Sequence, residues 1–245
     1  TEAEASERFA SIAGYTGCPG YIVHMTCEGA LNAVRDNNRH NQKVFAETCI
    51  QYLLLDASLY EQNFDGAKWV MSPPLREKKD QEALWAGINQ GLVQVVATDH
   101  CPFKWEQKLM GKDDFSKIPN GHPAIEHRVE LLFSEGVRKG RITLNKFVEV
   151  LSTNPAKIFG MFPRKGCIAP GSDADIVLFD PNKEHTISVD THHMNTDYSA
   201  YESWKLTGKC KTVILRGNVV IDEGECLAEK GYGKYIRRNK VSQLI

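Results

Sequence analysis

The spacing of apolar positions changes several times along the chain, and each change marks an element. Ala3, Ala5, Phe9, Ile12 and Ala13 recur at roughly helical intervals, which predicts a helix over 2–14 ending near Gly14 and Gly17. Tyr21-Ile22-Val23-His24 reads as a short apolar strand, followed by a helix through Ala30–Val34 and a strand over 44–48. Trp69-Val70-Met71 reads as a further extended piece, stopped by Pro73-Pro74. Ala83, Leu84 and Ile88 predict a helix over 80–89 with Gly91 as its stop, and the run 92–98 is almost wholly apolar. Two more helices are predicted over 143–151 and 154–160, the second with Asn154 as its cap and Pro155 at its first position.

Short apolar strands alternating with helices are the pattern of a parallel sheet covered on both faces, either a βα barrel or a doubly wound sheet. After Pro163 the texture changes. Residues 176–180, 212–215 and 218–221 read as strands, Arg216-Gly217-Asn218 as a tight hairpin turn, and glycines recur. The expected organisation is therefore an α/β part over 1–162 and a small β-rich part over 163–245.

Composition narrows the partners. Thirty basic against thirty-one acidic residues leave a net charge of -1, which speaks against a nucleic-acid or polybasic membrane surface. No apolar run approaches the ~20 residues of a membrane helix. The opening residues read as an acidic amphipathic helix rather than a secretory leader. Seven scattered cysteines, none spaced as Cys-x-x-Cys, point to reduced thiols and a cytoplasmic setting.

Two polar residues stand where a barrel carries its chemistry, at the ends of apolar strands. His24 closes the first strand and Asp99 follows the run 92–98. An imidazole and a carboxylate in such positions suit a zinc ion, and the Asp can also serve as a general base. The bland reading is that Asp99 caps the next turn and His24 is a hydrogen-bonded core histidine. Spacing alone leaves both readings open.

Longer segments bear on the choice. Thr98-Asp99-His100-Cys101-Pro102-Phe103, Met71-Ser72-Pro73-Pro74-Leu75-Arg76, Ile118-Pro119-Asn120-Gly121 with 124–128, Ser152 to Gly160, and Gly171-Ser172-Asp173-Ala174-Asp175 occur in this chain together. In that combination the sequence resembles the dihydropyrimidinase/D-hydantoinase family of the amidohydrolase superfamily, over essentially its whole length. The resemblance implies the C-terminal part of a TIM-like (β/α)8 hydrolase barrel with part of a flanking β-sandwich. It implies that His24 and Asp99 are zinc ligands, Asp99 being also the catalytic base and acid. Ser72 and Asn120 match the residues whose backbone groups hold the cyclic amide substrate. The implied reaction is zinc-dependent opening of a dihydropyrimidine or hydantoin ring to an N-carbamoyl amino acid, of pyrimidine-catabolism type, in a homotetramer.

The same resemblance exposes a deficit. The family's zinc site takes six ligands, including a His-x-His pair and a carboxylated lysine, and only His24 and Asp99 have counterparts. The other histidines, at 40, 100, 122, 127, 185, 192 and 193, include no His-x-His. The expectation is a C-terminal half, inactive by itself. The alternatives are a non-catalytic relative of the collapsin response mediator type, which retention of both ligands argues against, and an allantoinase. His100 and Cys101 are read as loop-shaping, Tyr52 as packing, the four tryptophans as core or interface aromatics, and 104–112 as a solvated loop. Arg237-Arg238 is placed to reach a neighbouring subunit.

Overall fold

A computed structural model of the protein describes residues 1–38 and 43–239, so His40 lies outside the described residues. By internal contacts the chain divides into two compact units. One comprises Thr1–Arg128 with Thr186–Trp204, the other Val129–His185 with the chain from Lys205 onward. This division follows contacts in space, whereas the sequence places its change of texture near 161–166.

In the first unit three strands form a parallel sheet in the order β1-β2-β3, with β1 at Gly20–Ile22, β2 at Val44–Cys49 and β3 at Val95–Ala97. The central strand is buried along nearly its whole length, which is why it reads as an unbroken apolar run apart from Glu47 and Thr48. Helices α1 (Glu2–Thr16), α2 (Glu28–Asn38), α3 (Ile50–Leu54) and α4 (Lys78–Asn89) belong to the same unit. Gly17 closes α1 in the left-handed conformation, as a glycine after the last helical turn should. Leu31, Val34, Ile50, Leu84, Ile88 and Val96 are essentially inaccessible and make the core. Asp80 ties two helices together. One carboxylate oxygen accepts from the backbone of Glu77 at the start of α4 (3.3 Å), the other from that of Glu28 at the start of α2 (3.0 Å).

Trp69-Val70-Met71 is not a strand. Residues Asn63–Trp69 form a 3₁₀ turn, and the Val70 carbonyl accepts from the Gly121 amide (3.1 Å) instead of from a sheet neighbour. An extended apolar triplet becomes a strand only if a partner strand saturates its backbone, and here a loop does so.

The second unit holds an antiparallel sheet in the order β4-β5-β6-β7, with β4 at Ile176–Thr186, β5 at Lys205–Leu215, β6 at Asn218–Asp222 and β7 at Glu225–Cys226. The β5–β6 connection is the expected tight hairpin, with Arg216 and Gly217 both at positive φ between the paired Leu215 and Asn218. Gly208 (φ 109°) sits in close contact with the aromatic core of this unit. A Cβ there would stand 2.3 Å from the Phe133 ring, which also packs on Phe179 with centroids 4.6 Å apart.

The two helices predicted over 143–160 are one continuous run, from α-helix Leu144–Val148 through a π turn at Glu149–Thr153 to α-helix Asn154–Ile158. Asn154 therefore does not cap anything; it is buried and helical. The wide π turn just before Pro155 makes room for a ring that lacks an N–H and would clash in a regular turn. The cap of the run is Thr143, whose Oγ1 accepts from the Lys146 amide at 3.1 Å. Thr143→Ala is expected to cost about 1 kcal/mol in urea unfolding, and Thr143→Asn to restore most of it.

Candidate functional site

His24 and Asp99 each stand two residues beyond a strand that pairs in parallel with β2, so both leave the same edge of the sheet, on either side of β2. Both adopt the left-handed conformation, His24 at φ 40° and Asp99 at φ 46°. That region is uncommon for residues other than glycine, and His and Asp are among the few that tolerate it. The surroundings hold each residue there. The Met25 amide donates to Glu47 O (2.8 Å) and Thr48 Oγ1 to Met25 O (2.7 Å), fixing the turn after His24. Gln51 Nε2 donates to Thr98 O (3.0 Å) and Arg128 Nη1 to Val96 O (3.0 Å), fixing the approach to Asp99. Left-handed backbone held by neighbouring bonds at two matched strand ends makes this pair the candidate site.

Among the described residues neither the His24 nor the Asp99 side chain forms a hydrogen bond or ion pair, and Asp99 is exposed while His24 is half-buried. The charge of Asp99 is felt nearby. Burial pushes the Cys49 thiol and the Tyr52 phenol up, and the Asp99 carboxylate adds to both effects. Both shifts favour the neutral thiol and phenol.

Ser72 and Asn120, far apart in sequence, come together, with Ser72 Oγ 3.4 Å from Asn120 Oδ1. Both lie on the wall of a cavity of about 450 Å³, together with Tyr60, Phe64, Val70 and Met71. His24 and Asp99 do not line it. The structure thus joins Ser72 and Asn120 at the cavity and places His24 and Asp99 at one sheet edge with β2 between their strands.

The Ser72 segment is clamped by groups that periodicity does not reveal. Tyr52 Oη donates to Pro73 O (2.8 Å), and Tyr60 Oη accepts from the Leu75 amide (2.8 Å). Tyr52 is therefore more than packing. Lys108, inside the stretch read as a solvated loop, is fully buried and bonds to three backbone carbonyls. That correction has a simple cause, since the carbonyls lie far from Lys108 in sequence. His100 shapes its loop, Nδ1 accepting from the amides of Ala124 (3.2 Å) and Ile125 (3.3 Å). Gly121 lets this loop close, because a Cβ there would fall 2.2 Å from the Cys101 carbonyl. Trp85 is a core aromatic bonded to Leu53 O (3.1 Å), and Trp105 packs with Phe64 and Tyr198.

An imidazole and a carboxylate with uncommitted side chains suit a divalent metal. Among the described residues, however, no three His, Cys, Asp or Glu side chains gather where they could hold one. His24 and Asp99 can supply part of a ligand set and no more. No helix among the described residues is long and apolar enough to cross a membrane.

One unit thus carries a parallel α/β sheet with polar residues at one edge, and the other a small antiparallel sheet. The chain belongs to the amidohydrolase family, which it matches over residues 7–220. Its relatives there are D-hydantoinases and dihydropyrimidinases. It is 48% identical to a D-hydantoinase of Geobacillus stearothermophilus over all of this chain and 52% of that one, and 47% identical to a D-hydantoinase of Streptomyces coelicolor over 97% and 51%. The crystal structure of a dihydropyrimidinase from Brevibacillus agri superposes with a TM-score of 0.96 at 47% identity, over 98% of this chain and 53% of that chain. An L-hydantoinase (dihydropyrimidinase) from Arthrobacter aurescens superposes with a TM-score of 0.89 at 29% identity, over 96% and 52%. The chain spans about half the length of the relatives it matches.

Proposed function

We propose that the protein to which these residues belong hydrolyses a cyclic amide, a 5,6-dihydropyrimidine or a hydantoin, to an N-carbamoyl amino acid, as a zinc-dependent cytoplasmic homotetramer of pyrimidine-catabolism type. The observation that carries the reading is the matched left-handed conformation of His24 and Asp99 at one edge of the parallel sheet. In this reading the three parallel strands are part of a TIM-like barrel and the antiparallel sheet is part of a flanking sandwich.

His24 and Asp99 would hold zinc, which supplies polarisation of the ring carbonyl and of water. Asp99 accepts the proton of the attacking water as the carbonyl carbon gains its new oxygen, and returns it to the ring nitrogen as the C–N bond breaks. Ser72 and Asn120 present backbone donors and acceptors to the ring amide, and rigid backbone costs no side-chain entropy on binding. The near-neutral balance of thirty basic and thirty-one acidic residues supports a small neutral substrate rather than nucleic acid.

The experiment is a ring-opening assay on the protein expressed from its whole open reading frame, loaded with zinc. Turnover of dihydrouracil or hydantoin is expected, and turnover of neither would sink the reading. Residues 1–245 expressed alone are expected to be inactive, because the described residues gather too few ligands to hold a metal.

A further inference from the structure

The least expected side chain near the cavity is Lys108. It stands at the end of the short helix Trp105–Lys108 with no accessible surface. Its Nζ donates to Val70 O (2.9 Å), Pro119 O (2.7 Å) and Gly121 O (3.0 Å), which uses all three N–H bonds of an ammonium group. The Phe103 ring lies 5.6 Å away, and no carboxylate among the described residues pairs with the charge. Burying an ammonium against carbonyl dipoles alone is expensive, and desolvation lowers its pKa to about 8. Such a group calls for a return.

The identity of the three carbonyls indicates what that return is. Val70 lies two residues before Ser72, and Pro119 and Gly121 flank Asn120 on both sides. The Gly121 amide also donates to Val70 O (3.1 Å), so one carbonyl joins both segments and the lysine caps the junction. A flexible loop pair would lose binding energy each time it ordered around a ligand, and a fixed pair does not. We propose that Lys108 is a positioning residue, its ammonium fixing the Ser72 and Asn120 segments at the separation at which their backbones grip the ring amide. This rests on the reaction proposed above.

Lys108→Met removes the donors at nearly constant volume, and Lys108→Gln keeps two of them without the charge. In the zinc-loaded protein from the whole open reading frame, Lys108→Met should raise KM for the cyclic amide about tenfold or more. Its kcat should change much less, and Lys108→Gln should fall between it and the parent. A merely structural lysine would lower Tm and leave KM alone, so an unchanged KM in either folded variant overturns the proposal. Should the parent itself open no ring, the reaction reading fails and amide hydrogen exchange decides the positioning separately. Exchange accelerated about tenfold or more within 70–75 and 118–124 alone supports the clamp. Unchanged exchange, or a uniform rise along the chain, overturns it.

Discussion

Asp99→Asn is expected to lower kcat for ring opening by at least about a thousandfold while leaving the fold and its stability intact. A positioned general base contributes roughly 10²–10⁴-fold, and loss of a charged metal ligand adds to that. The substitution is clean for a local reason. Asp99 sits at φ 46°, and asparagine tolerates the left-handed region as well as aspartate does, whereas Asp99→Leu would add about 1–2 kcal/mol of backbone strain. The Asp99 side chain makes no hydrogen bond or ion pair among the described residues, so removing its charge breaks none. The measurement is kcat on dihydrouracil and hydantoin beside a thermal melt, in the zinc-loaded protein. Activity within tenfold of the parent, at unchanged Tm, would remove Asp99 from the chemistry.

His24 and Asp99 are legible in the sequence because a polar residue closing an apolar strand is conspicuous against its neighbours. Their left-handed backbone is not legible, since it arises from bonds that β2 and α3 make to the flanking residues. Ser72 and Asn120 stand out only through the ordered motifs around them. That their side chains meet across 48 positions follows from the fold alone. Helices α1, α2 and α4, strands β1, β2, β3 and β6, and parts of β4 and β5 follow from the local apolar pattern, whereas the two-residue β7 does not. Trp69–Met71 reads as a strand, Asn154 as a cap and Lys108 as part of a solvated loop, which 104–112 largely is apart from Lys108 and Gly111. For Val70 and Lys108 the deciding partners, Gly121 and three backbone carbonyls, lie outside the local window, whereas for Asn154 it is the adjoining π turn, which apolar spacing does not reveal. A buried lysine is the hardest of these, because composition places lysine at the surface by default.

Acid is expected to destabilise the first unit through His122. This side chain is 1% exposed, and its Nε2 meets Tyr201 Oη at 3.2 Å, the two rings packing edge to face. Its Nδ1 has no hydrogen-bond partner among the described residues. Burial holds its pKa down at about 3, and the Lys108 ammonium and His100, the charged and titratable groups facing it, push the same way. The unfolded chain binds that proton near pH 6.5 and the folded chain only near 3, so between these values the unfolded state holds more protons. The stability His122 confers is therefore complete above pH 6.5 and is lost progressively as pH falls toward 3. The span corresponds to about 4–5 kcal/mol, falling at roughly 1.4 kcal/mol per pH unit. His122→Gln keeps a partner for Tyr201 and cannot be protonated. Urea unfolding at intervals from pH 7 to 4 should show the parent losing stability more steeply than the variant by about one proton's worth. Because the His122 carbonyl also accepts from the Cys101 amide (3.2 Å), loosening at this residue reaches the loop that follows Asp99. Parallel pH profiles for parent and variant would show that the imidazole is not the group that titrates.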